Sequence, residues 1–159
     1  MATRSTIAMK TPEGKIRAIY CHWDGYPAHN GEMLRRHYKS ADKVAQLIEL
    51  GNLSSLRPEI GGKQDFDDRK TQVEDWCLAY GRDRGELDQD AVVYDTVGDW
   101  VENFDMGVEY YYLFDGQNWF VNAYGNKDDH GMFPQFDFVE TVLDPKQLKE
   151  LGWEPENFS

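Results

Sequence analysis

Long apolar runs are missing from this chain. No stretch approaches the roughly 20 apolar residues that a bilayer-crossing helix needs, and the mean hydropathy is -0.72. Cysteine is nearly absent, with two in 159 residues. Cys21 and Cys77 are too few and too far apart for a disulfide framework, so both are expected as free, buried thiols. Four histidines, at 22, 29, 37 and 130, show no close ligand spacing. A zinc site needs about four ligands near one another, and neither a metal nor a cofactor is expected. Positive charge is short: 17 Lys and Arg face 29 Asp and Glu, for a net charge of -12. The deficit is uneven. Residues 1–60 hold nine basic against six acidic side chains, and residues 61–159 hold eight against 23. A polyanion is repelled by most of such a surface, which argues against general nucleic-acid binding. A basic protein partner is compatible with it.

What is present is core. Apolar residues make up 40% of the chain and aromatics 14%, enough for one ordinary domain. Ser5 to Met9 and Lys15 to Trp23 read as a hairpin around the turn Thr11-Pro-Glu-Gly14. Within the second strand, Ile16, Ala18, Tyr20 and His22 share one face, and Ile19, Cys21 and Trp23 the other. Asn30 suits the N-cap of a helix over 31–38, with His37 packed on its apolar side. Ser40 caps a second helix over 41–50 that Gly51 stops, and Leu53 and Leu56 fold back on its end. A polar, mobile loop is expected over 57–70. Val73 to Tyr80 and Ala91 to Tyr94 read as strands. Asp95 or Thr96 caps a helix on which Val97, Trp100, Val101 and Phe104 form an apolar stripe. Aromatic arms around Asp115-Gly116 predict a hairpin with a type I′ turn, setting Tyr112 opposite Trp119 and Tyr111 opposite Phe120. A last strand over 136–142 and a helix from Asp144-Pro145 to Gly152 complete the reading. The class is α+β: a single domain over 1–159 with a mainly antiparallel sheet of about six strands and four short helices.

Nucleophilic catalysis finds no support. Cys21 and His22 are adjacent on a strand, so their side chains point to opposite faces. Carboxylates are too numerous for one acid–base pair to stand out. Asp128, Asp129 and His130 fit a solvated loop better than a metal. Two segments carry the remaining chemistry. Arg82 and Arg84, on the glycine-bracketed GRDRGE turn, present planar donor forks suited to phosphate or carboxylate; Asp83 between them is equally a structural partner. His22, Asp24 and Tyr26, at the exit of the second strand, either line a polar pocket or hydrogen-bond their own turn.

Three segments, IYCHWDGYP at 19–27, LGNLSSL at 50–56 and AYGRDRGE at 79–86, together with the opening MATRSTIA, resemble a group of small uncharacterised proteins encoded by tailed bacteriophages and prophages. The likeness spans roughly residues 1–86 and, loosely, the YYLFDGQNWF hairpin; the acidic stretch 57–75 departs from it. No catalytic residue comes with the resemblance. It implies an accessory protein at work in the cytoplasm of a bacterial host, and the opening MATRSTIAMK, without a secretion-signal core, agrees. Two readings follow. One is a non-catalytic protein that binds a host or viral macromolecule in host takeover or counter-defence; its sharper form is mimicry of DNA charge by Glu86, Asp88, Asp90, Asp95, Asp99 and Glu102. The other is a small-molecule or nucleotide-binding protein, with or without enzyme activity, built on Arg82 and Arg84 with the His22-Asp24-Tyr26 turn.

Overall fold

A computed structural model describes residues 2–104 and 106–123. The expected strand over 136–142, the terminal helix and the Asp128-Asp129-His130 loop lie outside the described residues. The opening hairpin forms as its turn residues dictate. Strand β1 (Ser5–Lys10) pairs antiparallel with β2 (Ile16–Cys21). Helices α1 (Glu32–His37) and α2 (Ala41–Glu49) follow, then β3 (Leu53–Ser55), β4 (Leu78–Ala79), α3 (Tyr80–Arg84), β5 (Val92–Tyr94), α4 (Val97–Asn103), β6 (Tyr110–Phe114) and β7 (Trp119–Ala123). All seven strands join one sheet in the order β4-β3-β2-β1-β6-β7, with β5 sharing the outer edge of β2 beside β3.

The domain is α+β, as expected, but its sheet is mixed. β1 pairs parallel with β6, and β2 parallel with β3. Both parallel contacts have the same cause. Parallel neighbours cannot be joined by a tight turn, so a helix must carry the chain back. α1 and α2 do this between β2 and β3; α4 does it between β5 and β6. The two crossovers lie on opposite faces, which makes three layers. One face buries Ile7, Ile19 and Cys21 beneath Leu34, Val44, Leu47 and Ile48. The other buries Ala8, Ile16, Ala18 and Tyr20 beneath Trp100, Val101 and Phe104. The alternation read along β2 is the alternation seen.

Both expected caps are in place: Ser40 Oγ accepts from the Lys43 amide at 3.1 Å, and Thr96 Oγ1 from the Asp99 amide at 3.0 Å. Each satisfies one of the amides a helix start leaves without a partner. Gly51, with φ +78°, ends α2. Trp100 is fully buried, and its indole N–H donates to Thr6 Oγ1 at 3.2 Å, fastening α4 to β1.

Several expectations need correction. Asn30 is no cap: a single π-helical turn (Pro27–Gly31) precedes α1, and Asn30 is buried beneath it. His37 is exposed and Tyr38 is buried instead. Tyr38 leaves the helix at φ -122° and turns inward, where its hydroxyl donates to the Arg57 carbonyl at 2.6 Å. The strand expected over 73–80 is reduced to Leu78–Ala79 and a bridge from Glu59 to Trp76. The Cys77 carbonyl, a ladder acceptor in a longer strand, takes side-chain donors from Gln64 and Arg82. Leu53 and Leu56 do pack with Val44, Leu47 and Ile48 of α2, and Leu53 belongs in addition to a strand. The β6–β7 loop has four residues, not two: Phe114 faces Trp119, and Tyr112 faces Val121. The Asp115 carboxylate accepts from the amides of Gln117 and Asn118 at 2.8 and 2.7 Å, which favours the longer loop. A slip of two residues leaves every side chain on its expected face, and both faces of the ribbon are covered: all five residues of β6 are buried.

Candidate functional site

Residues 79–95 hold the candidate arginines and, directly after them, most of the candidate acids. The expected GRDRGE turn is the short helix α3, closed by Gly85 at φ +74°. Its arginines diverge. Arg82 faces inward and donates four hydrogen bonds: to Ile60 O and Cys77 O, both at 2.8 Å, and to the two Asp83 carboxylate oxygens at 2.9 and 3.2 Å. The Asp83 side chain is wholly buried. Its oxygens also accept from the amides of Gln64 at 3.0 Å and Ala79 at 2.8 Å. The pair ties the 57–77 segment to the sheet. Arg84 faces outward. Its guanidinium lies 5.0 Å from the Phe66 ring centre, and Phe66 stacks on Tyr80 at 5.4 Å. Its ion pair with Glu86, at 3.9 Å, is long.

The exit of β2 is a brace. Asn30 Nδ2 donates to the Trp23 carbonyl at 3.2 Å and reaches Cys21 Sγ at 3.4 Å. Tyr112 donates from its hydroxyl to Gly25 O at 2.6 Å, and the Gly25 amide donates to Thr3 O at 2.8 Å. A Cβ at Gly25 would lie 2.8 Å from Ser5 Cβ, so glycine is needed there for close approach, while the positive φ of the turn, +57°, falls on Asp24. The three candidate side chains separate. Asp24 bonds the Tyr26 hydroxyl and stands 3.9 Å from His29, and Tyr26 packs on the α2 side of the sheet. His22 is on the α4 side, its Nδ1 2.7 Å from the Tyr20 hydroxyl. Burial holds its pKa below the ordinary imidazole value, and Arg4 adds to the effect. Tyr80 packs in the same cluster as Tyr20. His22 and Arg84 are therefore linked through Tyr20, Tyr80 and Phe66, whereas Asp24, Tyr26 and Arg82 are not on that surface.

Both cysteines are free and buried. Burial pushes the Cys21 thiol up to about 12, and Cys77 is also raised, with Tyr38 and the Arg57 amide around its sulfur. Neither is a thiolate nucleophile near neutral pH. No group of three or more metal-ligating side chains occurs among the described residues, and none of their helices is long and apolar enough to cross a membrane.

The feature that the sequence reading missed is Leu87. It is 84% exposed, on a segment held by both ends of Gln89. The Gln89 carbonyl accepts from the Asn52 amide at 2.7 Å, and its side-chain oxygen from Asn52 Nδ2 at 3.1 Å. Glu86, Asp88 and Asp90 flank it. With Glu49 and Leu50 from the end of α2, and Gly81 and Arg82 from α3, these residues line a depression of about 450 Å³. Asp88 and Asp90 have no ion pair among the described residues. One apolar residue inside a run of acids was the available signal. Compared with protein-family models, curated proteins and solved structures, the chain matches none of them.

Proposed function

We propose that the protein is a non-catalytic binding protein that engages a basic macromolecule through the acidic segment 86–90. The observation that carries this reading is Leu87: a large apolar side chain, 84% exposed, on a braced segment rimmed by Glu86, Asp88 and Asp90. Apolar anchors ringed by polar groups are the usual makeup of interface centres. Acids around the anchor select a partner of opposite charge and speed its approach. The resemblance to phage-encoded proteins supports a partner that is a host or viral component inside a bacterium. The DNA-mimic form draws less support, since Asp95 is neutralised by Lys15 at 2.7 Å and a leucine occupies the centre of the acid run.

The test is capture from bacterial lysate with wild type, Leu87→Ala, Asp88→Lys/Asp90→Lys and Arg84→Ala, followed by rebinding of each captured component in purified form. A component that rebinds wild type and Arg84→Ala but not the other two supports the reading. Equal rebinding to all four variants excludes the 86–90 surface.

A second reading rests on Arg84, which keeps guanidinium donors available above the Phe66–Tyr80 stack. It predicts a planar anionic ligand. A rise in melting temperature with nucleotides, present in wild type and absent in Arg84→Ala, would favour it over the first.

A further inference from the structure

Strand β5 lies directly after the acidic segment and is an edge. Its one strand partner among the described residues is β2, in antiparallel register from Ile16 opposite Tyr94 to Ala18 opposite Val92. The opposite side of β5 therefore carries backbone amides and carbonyls with no strand of the described residues against them. Edge strands of this kind are templates for another strand, and proteins blunt them with short length, charges, prolines, bulges or covering elements. β5 is short, at three residues, but carries no charge or proline: its residues are Val92, Val93 and Tyr94. Val92 is 49% and Val93 53% exposed, on opposite faces of the sheet. Val93 is in register with Arg17, whose guanidinium bonds Glu49 at 3.0 Å, so it stands on the side of the acidic depression. Val92 stands on the α4 side, in register with Ala18.

We infer that the partner binds as an extended segment that adds a strand to the free edge of β5, with basic side chains toward the acidic depression and apolar ones toward Val92. This inference rests on the proposed acidic docking surface and states how it is used. Main-chain pairing supplies affinity in strand addition, and alternate side chains supply specificity. The acids decide the occupant. A second copy of this chain would set Asp88 and Asp90 against their own counterparts, whereas a segment alternating lysine or arginine with valine, isoleucine or leucine complements both faces.

Three probes test it against the isotope-labelled protein: a peptide of alternating lysine and valine, its analogue N-methylated on alternate amides, and a helix-forming peptide of equal charge. Strand addition predicts amide shifts at 92–94 as well as 86–90, slowed amide exchange in β5, and affinity lower by about tenfold or more for the N-methylated analogue, which keeps charge and side chains but loses main-chain donors. Val93→Lys should weaken the first peptide without unfolding the protein. Equal binding of all three peptides, with shifts confined to 86–90, overturns strand addition and leaves the acidic surface standing. No binding of any peptide at millimolar concentration also overturns it; the lysate variants then decide whether the acidic surface falls as well. Light scattering that shows a dimer abolished by Val93→Lys would replace the peptide partner with a second copy.

Discussion

Residues 79–84 and 85–95 are neighbours in sequence and both rich in charge, yet they meet opposite fates. In the first stretch every charge of the Arg82–Asp83 pair turns inward and is matched by groups from residues 60–79. In the second, Asp88 and Asp90 are exposed, Leu87 stands out in water and one edge of β5 has no strand partner among the described residues. The difference lies in what the rest of the chain delivers. Segment 57–77 folds over α3 and supplies carbonyls and amides to it; in the next segment Asn52 holds the backbone and side chain of Gln89, Lys15 pairs with Asp95 and β2 with β5, but no ion pair among the described residues reaches Asp88 or Asp90. Charged residues become structural where distant backbone groups arrive to satisfy them, and remain available where none do.

The sharpest way to break that contrast is Asp83→Ala. Removing a fully buried carboxylate takes the counter-charge and the Nε acceptor from Arg82, which keeps only the Ile60 and Cys77 carbonyls, and strips two amides of their acceptor; losses of this kind run about 3–5 kcal/mol. Urea denaturation should show it, with a lowered midpoint. A change below about 1 kcal/mol would mean that the pair does not hold segment 57–77.

A smaller pair of effects separates close approach from backbone conformation. Gly25→Ala forces a methyl group against Ser5 and Thr3, which should cost about 1–3 kcal/mol through overpacking. Gly116→Ala meets no atom within 4 Å but must hold φ +111°, a cost of about 1 kcal/mol. Melting temperatures should therefore rank wild type above Gly116→Ala and Gly116→Ala above Gly25→Ala; the reverse order would contradict the packing of the β2 exit.

Leu87→Ser should sit at the other extreme, within about 0.5 kcal/mol of wild type, as an exposed substitution away from caps and packing. A loss of several degrees in melting temperature would show that Leu87 packs somewhere, and would remove it as an anchor.

The least of the expected effects is a pH dependence at His22. Its pKa in the folded chain is lowered, first by burial and then by Arg4. The unfolded chain then binds more protons between the folded value and the ordinary 6.5, so stability rises with pH across that window and is lost as pH falls through it. Below the folded value the penalty is constant. His22→Gln should flatten this segment of the stability–pH curve, and an unchanged slope would place the titration elsewhere.

Local rules made much of this fold legible. Thr11-Pro-Glu-Gly14 announced the first hairpin, Ser40 and Thr96 announced two helix starts, and the spacing of Val97, Trp100, Val101 and Phe104 announced the stripe of α4. These signals act within a few residues, where steric limits, capping bonds and side-chain period are set by the chain itself. The candidate site was legible only in part. Arg82 and Arg84 look equivalent as sequence, and the fold separates them because Ile60 and Cys77 offer carbonyls to one while Phe66 offers a ring to the other. Asn30 looked like a cap, but the π-helical turn before α1 carries it under the sheet to Cys21 and Trp23. Leu87 gave no periodic signal, since a lone apolar residue among acids belongs to no stripe.

By itself, then, the sequence determined the α+β class, the alternation along β2, the burial of both cysteines in a core and the acidic character of the latter part of the chain. Only the tertiary structure decided that two helical crossovers make the sheet mixed, that Arg82 is structural, and that Leu87 and the valines of β5 are exposed in the segment that holds Asp88 and Asp90. Periodicity and capping are short-range and can be read from neighbours. Which side chain finds a partner across 20 or 40 residues depends on how the crossovers bring remote backbone together.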